Sequence, residues 1–196
     1  MQIYTDFEKT ELEQLQNQIN PHFLFNMLNN ILVLVQESPE EATNVLKKMN
    51  NLLIYQFNTG NNKHALLSED IQFINDLLNL EKIRRDQFEF DIIVENNAEK
   101  YNVPPMLFIN FVENAVKYSK DAENLSYIRI YFGATENTLH FTCLNSKPEI
   151  PTPKNEFGGL GLVNIRRRLE LLYADNHTLN IHDDEKTFKV QLEVKI

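Results

Sequence analysis

The chain reads as an α+β protein, a helical hairpin followed by a mostly antiparallel sheet with helices on one face. Three observations predict this. Through the first 60 or so residues apolar side chains recur at spacings of three and four, which is the helical period. From Phe88 onward several segments carry them at every second position, which is the strand period. Between those segments two stretches return to the helical period, so helices are expected to cover one side of the sheet. The division is placed between a hairpin over residues 1–66 and a sheet domain over 67–196.

The first helix is expected over Glu8 to Val35, which holds no glycine and sets Leu12, Leu15, Ile19 and Phe23 on one stripe. Pro21 lies inside that helix, lacks an N–H and clashes with the preceding turn, so a kink or loosening is expected there, exposing His22. Ser38 and Pro39 end this helix and start the next, because serine caps and proline suits a first turn. The second helix carries Val45, Met49, Leu52 and Leu53 on one side and stops at the turn cluster Asn58 to Asn62. A hairpin this thin buries little by itself, so its stripes call for a second copy of the chain.

Ser68, Glu69 and Asp70 open a third helix, to about Arg85. Strands follow at Phe88 to Val94, around Ile128 to Phe132, around Leu139 to Cys143, at Leu179 and Ile181, and at Phe188 to Val194. The intervening helices are expected over Pro104 to Ser119 and Gly161 to Tyr173.

Composition removes several function classes. The net charge of −9 argues against direct nucleic-acid binding, which needs clustered cations. A single cysteine, Cys143, leaves no disulfide framework or cysteine-based zinc site and fits a reducing compartment. The longest apolar run, Ile31 to Val35, is far short of the ~20 residues that span a bilayer. Because the sequence starts so close to its first helix, we expect a cytoplasmic portion of a membrane protein whose upstream segments are absent from it.

Three stretches of the second part carry candidate chemistry. In PPMLFINFVENAVKYSK, Phe108, Phe111, Val112, Ala115 and Val116 form the face to be buried, and Asn110, Glu113, Asn114 and Lys117 align on another. Amide and carboxylate oxygens suit Mg²⁺ and an ammonium suits phosphate, but the same stripe also fits a solvated helix face. Gly158, Gly159 and Gly161 precede a helix bearing Arg166, Arg167 and Arg168; glycines admit a ligand close to the backbone and a helix N-terminus favours an anion. A flexible loop fits equally, and no GxxxxGK[ST] motif is present. Asn145, at a strand end, has an amide able to read a base edge, or is a turn residue. His22 is a competent nucleophile near pH 7 with Asn26 one helical turn away, or a structural histidine in a bundle seam.

Taken together and in order, Asn-Pro-His-Phe-Leu-Phe-Asn, Val-Glu-Asn-Ala-Val-Lys-Tyr and Gly-Gly-Leu-Gly-Leu-Val-Asn-Ile-Arg-Arg-Arg-Leu resemble the phosphoacceptor box, N-box and glycine box of LytS-like sensor histidine kinases. The resemblance covers nearly the whole chain. It implies a dimerising hairpin followed by a Bergerat-type α/β sandwich that binds ATP and Mg²⁺, in an ATP-dependent protein histidine kinase. By this resemblance His22 accepts the γ-phosphoryl group, Asn114 holds Mg²⁺, and Glu113 is the polar or basic partner. Asn110, Lys117, Tyr118 and Asn164 border the nucleotide, and Gly158, Gly159 and Gly161 border its phosphates under a mobile lid at about Lys147 to Leu160. Asn145 stands where many relatives carry an adenine-reading aspartate, and the usual DxGxG glycines are missing, so weak ATP binding is expected. The implied partners are a second copy of the chain and a response regulator, often of the LytTR type. With no acidic residue following His22, Glu113 is taken as the general base. The Asn58 to His64 segment is taken as a hinge between the two parts. The alternative function is a degenerate dimeric scaffold of the same family that binds ATP weakly or not at all. A kinase acting on a protein serine would have no use for the histidine box.

Overall fold

The computed structural model describes residues 21–59, 64–121, 123–149 and 160–196. Helix α1 (Pro21–Glu37) and helix α2 (Pro39–Thr59) form the hairpin, with Ser38 alone between them. The Ser38 N–H donates to the Leu34 carbonyl at 2.7 Å, and the Ser38 carbonyl accepts from the Ala42 N–H at 3.0 Å, so the turn occupies a single residue. Met27 and Ile31 of α1 pack with Val45, Met49 and Leu52 of α2, all buried. Phe25, Leu28, Leu32 and Val35 stand on another side of α1 at heptad-like spacing, exposed by 65, 42, 68 and 52%. The expected stripe at Leu12, Leu15 and Ile19 and the kink before Pro21 lie outside the described residues.

Strand β1 (Ala65–Leu66) leads directly into helix α3 (Leu67–Arg84). This helix is apolar on more than one side, burying Leu67, Phe73, Ile74, Leu77, Leu78 and Leu80, because it lies between the hairpin and the sheet domain. The Tyr55 ring of α2 stands 5.4 Å from that of Phe73, and the Lys48 ammonium lies 3.2 Å from the buried Asp76 carboxylate. Hairpin and sheet domain thus share one hydrophobic cluster.

The five-stranded sheet comprises β2 (Phe88–Val94), β4 (Ser126–Thr135), β5 (Thr138–Ser146), β6 (His177–Asp183) and β7 (Thr187–Lys195), in the order β2-β4-β5-β7-β6. Only β2 and β4 run parallel. A parallel pair needs a crossover, and the chain between them supplies strand β3 (Asn102–Val103), which pairs with β1, and helix α4 (Ile109–Tyr118). Helix α5 (Leu160–Tyr173) precedes β6. Alternate residues Ile128, Ile130, Phe132, Leu139, Phe141, Cys143, Val190, Leu192 and Val194 are buried, as period-two spacing requires. Burial pushes the Cys143 thiol up to about 12, so it serves as a packing group. Among the described residues no helix is long and apolar enough to cross a membrane.

Helix α4 starts five residues later than its sequence pattern suggests, at Ile109. The reason is Met106, whose φ of 57° no right-handed helix accommodates, so Pro105 to Phe108 form a turn. Four aromatic rings fix α4 on the sheet. Phe108 lies 5.1 Å from Phe132 and 4.7 Å from Phe141, while Phe141 lies 5.6 Å from Phe111 and 5.1 Å from Phe132. Phe141 is the shared member. Phe141→Ala should therefore lower the unfolding free energy by about 3–5 kcal/mol, read from the urea midpoint; a loss under about 1 kcal/mol would remove this cluster from its central role.

Candidate nucleotide site

Helix α4 sorts its side chains as its spacing predicts. Phe111, Val112 and Ala115 are buried, Asn110, Glu113 and Asn114 are half-buried, and Lys117 is exposed. The Lys117 ammonium lies 5.1 Å from the centre of the Tyr118 ring, so the two form one cationic and aromatic edge. Burial pushes Glu113 from its ordinary 4.5 up to about 7, which places a carboxylate near neutrality for proton transfer.

The start of α5 closes on this face. A Cβ at Gly161 would stand 3.0 Å from Asn114 Oδ1 and 3.2 Å from Asn114 Nδ2, so an unbranched backbone is what allows the approach. Two stretches of sequence nearly fifty residues apart thereby meet at one carboxamide. Asn164 follows Gly161 by three residues, on the same side of α5, and is half-buried. Asn114 offers one hard oxygen, and Mg²⁺ is usually held by one or two protein oxygens together with waters and phosphates, so the residues present fit that ion.

Asn145 sits near the end of β5, opposite Phe188 of β7, and is 1% exposed. One hydrogen of its Nδ2 is donated to the Ser146 carbonyl at 2.8 Å, which orients the amide and leaves Oδ1 as an acceptor. His22 and Asn26 fall on α1, but their side chains lie outside the description, as do Gly158, Gly159 and most of the expected lid and hinge.

What holds α4 in place was not legible from the residue pattern. Arg85, just past α3, donates to the Val116 carbonyl at 2.6 Å and to Ser119 Oγ at 3.3 Å at the end of α4, and pairs with the buried Glu81 at 3.1 Å. Arg168 of α5, 2% exposed, donates to the Met106 carbonyl at 2.8 Å and the Pro105 carbonyl at 2.5 Å, just ahead of α4. Of the three arginines that follow the glycines, Arg168 grips these backbone carbonyls with its guanidinium, while Arg166 and Arg167 are exposed. The signal available was its spacing: Arg168 adjoins Leu169 and follows Ile165 by three, on the buried face of α5.

The raised Glu113 carboxyl carries a stability consequence. Its folded pKa lies above the unfolded one, so the cost of burying its charge is full above about 7, fades as pH falls and is gone below about 4.5. Glu113→Gln should raise stability at pH 8 by up to about 3 kcal/mol and far less at pH 5, measured as Tm at both values. An equal effect at both values would contradict the burial.

Residues 10–88 match the family model described as Histidine kinase. Sensor protein LytS of Staphylococcus saprophyticus is 27% identical over 94% of this chain and 33% of its own length. The chain spans about a third of the length of the curated relatives it matches. Among solved structures, the catalytic domain of histidine kinase ThkA superposes with a TM-score of 0.51 at 23% identity, over 67% of this chain and 93% of that one. Histidine kinase ThkA in complex with response regulator protein TrrA gives a TM-score of 0.50 at 18% identity, over 89% of this chain and 59% of that one. Three motifs in order, a Histidine kinase family model over residues 10–88 and a shared catalytic-domain fold make the chain similar to the LytS-like sensor histidine kinases.

Proposed function

We propose that this chain is the kinase portion of a two-component membrane sensor, which phosphorylates its own His22 from ATP and passes the phosphoryl group to a response regulator. The observation that carries this reading is the closure of Gly161 on Asn114, which joins the N-box to the glycine box. The nucleotide would lie along α4, between Lys117 and Tyr118, the start of α5 and Asn145, with Gly158 and Gly159 beside its phosphates. Mg²⁺, held by Asn114, would neutralise developing charge on the phosphates. A ring nitrogen of His22 attacks the γ-phosphorus, the bond to the β-phosphate oxygen breaks, and Glu113 takes the imidazole proton. The protein's own contribution is placement of the two reactants. Asn26, one turn from His22, would steady the ring or the phosphoryl oxygens.

The exposed stripe of Phe25, Leu28, Leu32 and Val35 supports a homodimer in which two hairpins form a four-helix bundle. The complex of ThkA with TrrA supports a response regulator as the phosphoryl acceptor, and a regulator of the LytTR type is what the resemblance of the three motifs implies. A second reading, a dimeric scaffold of the same family that binds ATP weakly, is favoured by the neutral side chain at Asn145.

Incubation with Mg²⁺ and γ-labelled ATP should give acid-labile label in the chain and none in His22→Ala. Acid-stable label, or label that persists in the variant, would refute His22 as acceptor. Unlabelled chain with no ATP binding by calorimetry would favour the scaffold. Leu32→Glu should shift the sedimentation equilibrium from dimer to monomer, because a charge cannot be buried unpaired in the bundle seam; an unchanged dimer would place the interface elsewhere.

A further inference from the structure

One buried polar network is left unused by the proposed chemistry. Asp70 of α3 is 2% exposed. Its Oδ1 accepts from the Tyr55 hydroxyl of α2 at 2.5 Å and from the Met106 N–H at 2.9 Å. Arg168 of α5 holds the Met106 carbonyl from the other direction. Both polar groups of the Met106 backbone are therefore gripped by buried charged side chains, and Met106 is the residue at φ 57°. A left-handed conformation in a non-glycine residue persists only where its surroundings over-determine it, and such positions concentrate at functional sites.

The arrangement has a direction. Lys48–Asp76 and Tyr55–Phe73 join the hairpin to α3 and go no further. Asp70 alone among these contacts is bonded on both sides of α3 at once, to the hairpin through Tyr55 and to the turn that begins α4 through Met106.

We infer that Tyr55, Asp70 and Arg168 are positioning residues that transmit the docking of the hairpin on α3 to the turn at Pro105 and Met106, and so to the placement of Glu113 and Asn114. The kinetic consequence rests on the kinase reading above; the mechanical link does not. A sensor that shifts α2 would thereby alter the nucleotide-site helix by moving one hydroxyl. Reciprocally, whatever reorders the start of α4 would alter how firmly the hairpin docks.

Amide hydrogen exchange on the whole chain tests the link, with Tyr55→Phe beside Phe73→Leu, which weakens the same interface and leaves the network intact. Amides of β5 and β7 serve as the internal standard. Tyr55→Phe should speed exchange over residues 106–113 about tenfold, and Phe73→Leu should leave it within about twofold. Equal effects of the two variants on that segment, or no effect of Tyr55→Phe, would overturn the inference. In the phosphorylation assay Tyr55→Phe should lower kcat about five- to tenfold with KM for ATP within about twofold, because placement changes while the nucleotide contacts remain. An unchanged kcat would refute the transmission. A wild-type chain that takes up no phosphate would instead count against the kinase reading, and the exchange comparison would still decide the link.

Discussion

Helix α4 presents Asn110, Glu113, Asn114 and Lys117 only while both of its ends stay fixed, and each end is tied by an arginine, Arg168 buried and Arg85 half-buried. At the C-terminal end Arg85 meets a carbonyl that the helix leaves unpaired, where a cation is also favoured by the helix dipole. At the other end Arg168 holds the carbonyls of Pro105 and Met106 in the turn that the helix grows from. Guanidinium suits both places because it keeps its charge when buried and spreads several donors over a planar group. Burial does pull Arg168 down to about 10, which still leaves it charged at neutral pH. The two arginines come from just past α3 and from α5, so the position of α4 depends on the helices flanking it.

Helix α3 is the common support. One side receives the hairpin through Tyr55, Phe73, Lys48 and Asp76, and the other carries the sheet domain. Asp70, Asp76 and Glu81 are buried on it, which would be prohibitive for unpaired charges. Asp70 is met by Tyr55 and Met106 and Asp76 by Lys48, all from neighbouring segments, while Glu81 is met by Arg84 and Arg85 at the end of α3 itself. Asp70 nonetheless rises to about 6, because its loss of solvent outweighs the stabilisation by Tyr55, Met106, Arg168 and Leu107. A helix held by paired charges on several sides can be moved only with its partners. That property suits a segment placed between the hairpin and the proposed nucleotide site.

Much of this fold was legible because it follows simple periods. The buried set of β4, β5 and β7 is the alternate-residue set, and the division of α4 into a buried and a polar face is the helical spacing of Phe111, Val112 and Ala115 against Asn110, Glu113 and Asn114. Other parts were not legible for definite reasons. Strands β1 and β3 have two residues each, too few to show a period. The late start of α4 depends on a backbone angle at Met106 that its residue type does not announce. The parallel pairing of β2 with β4 depends on the route of the crossover, since the alternation in either strand fits both directions. At the site, the motifs placed Asn114 and Gly161 together, and the structure supplies the contact between them. The role of Arg168 was not legible because it stands in a run of three arginines, and only its position on the buried side of α5 sets it apart. Asp70 was read only as a helix-opening residue, and nothing local in the sequence announces that three segments converge on it.

Under the proposed function, the clamped face of α4, closed by Gly161, is where nucleotide and Mg²⁺ bind. The most direct measurement is a structure of the chain with a non-hydrolysable ATP analogue and Mg²⁺. The account predicts Asn114 Oδ1 at about 2.0–2.1 Å from the ion, the adenine amino group at Asn145, and Arg168 still bonded to the carbonyls of Pro105 and Met106. A nucleotide bound away from α4, or an ion that Asn114 does not touch, would contradict it.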